Sequence, residues 1–174
     1  MTGTSATAVD VGRLLTGAAG TIRKVPYCWL IAGNDDGRLN ARPMGRLLHD
    51  PGEDEWTIRF VTDGRSSKVR DLRRDGRVSL VFQDLDRDAY VVLTGTAILQ
   101  TDADEVRRRW KPHYDAYFPT DLDRANAIFV EVRVDGLDLW IRGVTPEPFG
   151  LKTTRLERDA GGSWRLAAEL LAAA

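Results

Sequence analysis

The strongest constraint on this chain is a change of hydrophobic period at Pro26. Ahead of it, Val11, Leu14, Leu15, Ala18 and Ile22 recur at helical spacing behind Asp10, whose carboxylate suits a helix N-cap. Pro26 stops that helix. From there to about Pro146 the apolar residues fall into short β-type runs separated by turn residues. Residues 27–32 read as an apolar strand, Asn34-Asp35-Asp36-Gly37 as a turn and residues 39–47 as a returning strand, so the pair forms a hairpin. Trp56, Ile58 and Phe60 alternate with Thr57, Arg59 and Val61, the period of a half-buried strand. Two further runs, 77–83 and 90–99, are joined by the polar residues 84–88. Residues 128–134 and 137–141 flank Asp135-Gly136, locally the strongest hairpin signal in the chain, and are expected to form two strands. A last hairpin is expected from strands 152–157 and 163–166 around Ala160-Gly161-Gly162.

Two helices interrupt this series. One opens at Ser66-Ser67, carries Val69 and Leu72 inward and ends near Asp75-Gly76. The other is capped by Asp102, runs through Val106 and Trp110 and breaks at Pro112. Six or more strands, mostly antiparallel by their short connections, imply a mainly β fold: a small β-barrel with peripheral helices. With 174 residues, 43% of them hydrophobic, one core is expected. Residues 1–9 are expected to be a disordered lead-in, 10–145 the barrel domain with its N-terminal helix, and 146–174 a hairpin and tail packed on the same domain.

Charge and reactive residues narrow the chemistry. Twenty-five Lys and Arg balance 26 Asp and Glu, so no whole-molecule field gathers nucleic acid or an anionic membrane, and any anion site must be local. One cysteine and two distant histidines, His49 and His113, offer no zinc-ligand spacing and no intrachain disulfide, and no metal site is expected. Cys28 lies in the apolar run 27–31 and reads as a core residue. Neither end carries a secretory signal or an apolar run of spanning length, which leads to the expectation of a cytoplasmic protein with no membrane segment.

The most informative stretch runs from Phe60 to Lys68. It joins a strand end to a helix start through a turn containing Gly64, so the hydroxyls of Ser66 and Ser67, free backbone N–H groups and Lys68 gather at a positive helix end. A phosphate monoester would satisfy these donors, and Arg42 would add a bidentate clamp from a neighbouring strand. Plain helix capping by serine with solvated cations accounts for the same residues. Residues 84–88 carry the alternating acids of a calcium loop, but Ala89 stands where the loop needs glycine and Gly95 where it needs glutamate, so they read as a solvated connection. Basic clusters at 65–77 and 107–109 lack aromatic interleaving and read as solvated helix faces; nucleic-acid binding is the least favoured function. His113 and Tyr114 read as a surface turn over a buried Trp110, with a substrate pocket as the alternative.

Taken in order, Arg42-Pro43-Met44, Phe60-Val61-Thr62, Ser66-x-Lys68, residues 78–82 and residues 90–97 resemble the FMN-binding split β-barrel proteins related to pyridoxamine 5'-phosphate oxidase, and most of all their general stress protein branch. The resemblance spans about residues 14–142. It implies FMN at the interface of a homodimer, with Arg42, Ser66, Ser67 and Lys68 at the phosphate and ribityl chain and Pro43, Met44, Val61 and Thr62 beside the ring. Trp140 matches a tryptophan that reaches the partner's cofactor in such proteins, an ordinary barrel core residue being the alternative. The Arg-Gln pair and the basic, aromatic end of the vitamin oxidases have no counterpart here, which sets the chain apart from them. The implied activity is a flavin-dependent oxidoreductase acting on an unidentified small molecule with NADH, NADPH or a similar donor. A deazaflavin-dependent reductase and a non-catalytic flavin-binding stress protein are the alternatives. The lack of side-chain catalysts suits a protein whose chemistry is brought by a cofactor.

Overall fold

The computed structural model describes residues 10–167; the expected lead-in 1–9 and the end of the tail, 168–174, lie outside the described residues. Helix α1 (Val11–Lys24) starts where Asp10 accepts a hydrogen bond from the Gly12 N–H and stops ahead of Pro26. Eight antiparallel strands follow: β1 (Tyr27–Gly33), β2 (Leu39–Gly45), β3 (Thr57–Asp63), β4 (Arg77–Asp84), β5 (Ala89–Gln100), β6 (Ala127–Ile141), β7 (Thr154–Arg158) and β8 (Trp164–Leu166). Helix α2 (Ser67–Arg74) lies between β3 and β4, while α3 (Ala103–Arg109) and α4 (Asp121–Ala125) lie between β5 and β6. The expectation of 152–157 and 163–166 as a closing hairpin holds in β7 and β8, which extend the sheet from β6.

One expectation fails. Asp135-Gly136 does not turn the chain; β6 runs through it as one 15-residue strand. Opposite it, Thr94 pairs with Gly136 but Gly95 pairs with Val134, which leaves Asp135 as the extra residue of a β-bulge. The dipeptide therefore bends a strand, because both flanking segments find ladder partners in the long β5 rather than in each other. The bend lets β6 serve two neighbours on one edge, with β3 along residues 127–133 and β7 along 136–139.

The strands run in the order β2-β1-β4-β5-β6-β7-β8, with β3 on β6. Curvature brings β2 and β3 towards each other, but no ladder closes them: the backbone link at this seam runs from the Leu47 N–H to the Arg59 carbonyl at 2.8 Å. The mainly β split-barrel architecture expected from the sequence is thus what forms. Its core holds Leu30, Phe60, Leu80, Phe82, Leu93 and Leu139, all fully buried, and α1 inserts Leu14, Ala18 and Ile22 into it. Cys28 is part of this core, and burial pushes its thiol up to about 12.

On the outer face of β3 and β6 a smaller cluster forms from Val106, Tyr114 and Phe129. Ion pairs hold α3 there, chiefly Arg109 Nη1 to Glu131 Oε1 at 2.6 Å. No helix among the described residues is long and apolar enough to cross a membrane.

Candidate functional site

The seam between β2 and β3 is where the barrel carries charge on its inner side. β2 is an edge strand and so tolerates Pro43. Along it, Arg42 shares its face with the buried Met44 and stands opposite Leu30, which is fully buried. A guanidinium in such surroundings needs compensation, and α2 supplies it: Arg42 Nη2 donates to Asp71 Oδ2 at 2.8 Å, the Asp71 side chain being 3% exposed. The other terminal nitrogen, Arg42 Nη1, is buried without a partner among the described residues.

From the opposite edge, β3 presents the buried Thr62, whose Oγ1 accepts from Lys68 Nζ at 2.6 Å. The ammonium is thus held by a neutral hydroxyl. Burial lowers its pKa below the usual lysine range, and the positive charge of Arg42 lowers it further, against a smaller raising effect of Asp63. Ser66 is the N-cap residue of α2 with extended backbone, yet its side chain makes no capping bond, and its Oγ is buried and unpartnered. Capping therefore does not account for the Ser66 hydroxyl.

These groups form one donor set: a guanidinium nitrogen and a hydroxyl that have no partner, and an ammonium that has no carboxylate partner, among the described residues, together with the start of α2. The buried Asp71 pairs with Arg42, and Asp63, itself paired with Arg65, acts less on Lys68 than Arg42 does, so the local balance is positive and suits a phosphate monoester. The structure brings Arg42, Thr62, Ser66 and Lys68 together here. Ser67 is exposed at the helix start. Pro43 is exposed on the other face of β2, opposite Trp29, and Met44 turns its side chain into the core. Val61 points outward into the Val106–Tyr114–Phe129 cluster. Trp140 is half-buried on the outer face opposite Tyr90, at the far end of β6 from Ile128, the register partner of Thr62. That is about 40 Å of extended chain at ~3.3 Å per residue.

Sequence reasoning missed Asp71. Its signal was an acid three residues after Lys68, next to the inward Leu72, on a helix otherwise crowded with arginine. Larger clefts open elsewhere. One of about 1120 Å³ lies beside the β1–β2 turn, and one of about 740 Å³ lies between α3, α4 and the β3–α2 loop; neither is lined by Arg42, Ser66 or Lys68.

A family model described as "Pyridoxamine 5'-phosphate oxidase like" matches residues 18–149. Protein bli-3 of Neurospora crassa is 34% identical over 59 residues, a segment that makes up 34% of this chain and only 28% of that protein. Among solved structures, a Clostridium acetobutylicum protein related to general stress protein 26 superposes with a TM-score of 0.67 at 17% identity, covering 83% of this chain and 94% of its own. A pyridoxamine 5'-phosphate oxidase-related, FMN-binding protein of Nostoc punctiforme PCC 73102 gives 0.62 at 15% identity, over 95% and 98% of the two chains. An F420 reductase gives 0.54 at 17% identity, over 70% and 95%. These likenesses establish a shared fold.

Proposed function

The chain belongs to the pyridoxamine 5'-phosphate oxidase-like family, and on that footing we propose that it binds FMN at the β2–β3 seam and acts as a flavin-dependent oxidoreductase on a small molecule. What carries the proposal is the pair of buried, unpartnered donors, Arg42 Nη1 and Ser66 Oγ, beside the Lys68 ammonium. Bound FMN would supply the hydride and electron chemistry. The protein's own part is binding and orientation. Arg42 and Lys68 give two charge-assisted contacts to the phosphate, and the Ser66 hydroxyl with the first N–H groups of α2 gives neutral ones. Asp71 keeps the Arg42 guanidinium aimed into the seam, and Thr62 does the same for Lys68. The backbone of Pro43 and Met44 borders the ring. A second copy of the chain completes the site, and NADH or NADPH serves as donor. A deazaflavin is the second reading, favoured by the fold shared with an F420 reductase, since phosphate donors do not distinguish the two cofactors.

The test is the visible spectrum of the purified protein followed by titration with FMN. Saturable binding at micromolar flavin is expected, with Arg42→Ala and Lys68→Ala each weakening it by ~1.5–3 kcal/mol, the range of a charge-assisted hydrogen bond. A colourless protein that does not bind FMN would sink the proposal, and unchanged affinity in both variants would put the phosphate elsewhere. Anaerobic mixing of the loaded protein with NADH or NADPH then separates a reductase, whose flavin bleaches, from a carrier, whose flavin does not.

A further inference from the structure

We infer that the cleft of about 740 Å³ between α3, α4 and the β3–α2 loop is a binding site for a small anion with an apolar body, separate from the seam donors. Its size falls in the range of small-molecule sites. Its floor is apolar: Ile128 and Ala127 come from the start of β6, and Val106 and Trp110 from α3 and its end. Its rim carries Arg65, Arg73, Arg107 and Arg124 and no carboxylate. The larger cleft beside the β1–β2 turn is lined by Asp35, Asp75 and Asp135 together with Arg74 and Arg77, so positive excess is not a general property of the clefts on this molecule.

The arginines of the rim are not equivalent. Arg65 is engaged by Asp63 at 2.6 Å and Asp123 at 3.5 Å, and Arg124 by Asp121 at 2.6 Å, while Arg107 pairs with Asp104; all four acids stand outside the cleft lining. On α2, Arg70 and Arg74 both reach Asp35, at 3.6 and 2.8 Å, whereas Arg73 forms no ion pair among the described residues and lines the cleft instead. The wall is also built closely. The Gly64 N–H donates to the Asn126 carbonyl at 2.8 Å, and a Cβ at Gly64 would come within 3.1 Å of both that oxygen and Ile128 Cγ2. A side chain there would push the loop away from the floor. An apolar floor with four arginines at its rim, of which Arg73 has no acid partner among the described residues, selects a flat or aliphatic body ending in carboxylate or phosphate.

The experiment uses the full chain saturated with FMN, and the same chain without FMN, titrated calorimetrically with 2-naphthyl phosphate, 2-naphthoate and 2-naphthol. At least one anion is expected to bind about tenfold or more tightly than the neutral naphthol, the scale of one charge-assisted hydrogen bond, and whichever anion binds better identifies the head group. Arg73→Ala and Arg107→Ala, both at exposed positions, are each expected to weaken anion binding about fivefold or more and to leave naphthol binding and FMN affinity unchanged. Equal binding of anion and naphthol, or unchanged anion affinity in both variants, overturns the inference. So does anion binding that Lys68→Ala abolishes and Arg73→Ala does not, because the anion would then occupy the seam. The outcome does not depend on flavin: a protein that fails to bind FMN but passes these arms retains the cleft site.

Discussion

Lys68 is a half-buried cation held by a hydroxyl, and that arrangement gives the proposed phosphate contact a pH signature. Its pKa in the free protein lies below the usual 10.5, chiefly because burial disfavours the charge. The folded chain therefore releases this proton before the unfolded chain does. The charge-burial cost is fully present below the folded pKa and disappears as pH rises from there to 10.5. A bound phosphate dianion reverses the balance by favouring the ammonium. FMN affinity is then expected to be flat from about pH 7, above the second phosphate ionisation near 6, up to the lowered Lys68 pKa. Above that it should weaken by roughly tenfold per pH unit, as one proton must be taken up on binding. Fluorescence titration between pH 7 and 10.5 tests this, and Lys68→Arg, which stays charged throughout, should flatten the alkaline limb. An alkaline limb that persists unchanged in Lys68→Arg would assign the proton to another group. Arg42, Ser66 and Lys68 were legible because cations and hydroxyls at a strand-to-helix junction have few structural uses. Asp71 was not, because an acid among arginines on a short helix has the sequence pattern of a solvated ion pair.

At the level of elements, strand positions follow the two-residue period closely because each strand of the barrel buries one face. Local turn chemistry was less reliable. Asp135-Gly136 has the composition of a two-residue hairpin, but whether it turns depends on the partner each flank finds, and β5 is long enough to pair with both. Helix α4 was missed although Thr120 and Asp123 form a reciprocal capping box; at five residues it has too little length for a period to show. The bulge makes different demands on its two glycines. A Cβ at Gly95 would overlap the backbone carbonyl of Arg133, while one at Gly136 would overlap the Thr94 Oγ1. Both Gly95→Ala and Gly136→Ala are expected to destabilise by roughly 1–3 kcal/mol or more. The Gly136→Ala cost should shrink in a Thr94→Ala background, where the obstructing hydroxyl is gone; Gly95→Ala meets backbone and should show no such relief. Urea midpoints for the singles and doubles decide this, and equal costs for Gly136→Ala in both backgrounds would locate the strain elsewhere.

Across the whole molecule, the outer face of the sheet formed by β1, β2, β4 and β5 carries an apolar row that no helix among the described residues covers. Pro43, Trp29, Val81 and Val92 stand side by side in register; in the next outward row Ala41 and Ile31 are followed by Ser79 and Thr94, and Tyr27 lies on the other side of the Trp29 row. Trp29 is 50% and Tyr27 59% exposed, although each lies on a strand whose other side is core. Among the described residues the helices do not cover this face, since α1 and, through Leu72, α2 pack into the inner core and α3 covers the outer side of β3 and β6. Contiguous exposed apolar surface of this kind marks an interaction site, and the occupant proposed here is a second copy of the chain. Trp140 and its cross-strand partner Tyr90 share this outer side of the sheet, so in the proposed dimer Trp140 would lie on the side turned to the second copy, whereas within one chain it stands at the far end of β6 from the seam. Arg42 and Pro43, adjacent on β2, then face the seam and the interface respectively, so loss of the interface should be felt at the flavin. Sedimentation analysis is expected to give a dimer for the native chain and a monomer for Trp29→Glu, which sets an unpaired carboxylate against apolar surface. Far-ultraviolet circular dichroism should be unchanged, because this side chain is outside the core, and FMN affinity should fall at least about tenfold if two chains contribute to the ring site. A Trp29→Glu protein that remains dimeric would move the interface to another face, and a monomer with native FMN affinity would confine the flavin to one chain.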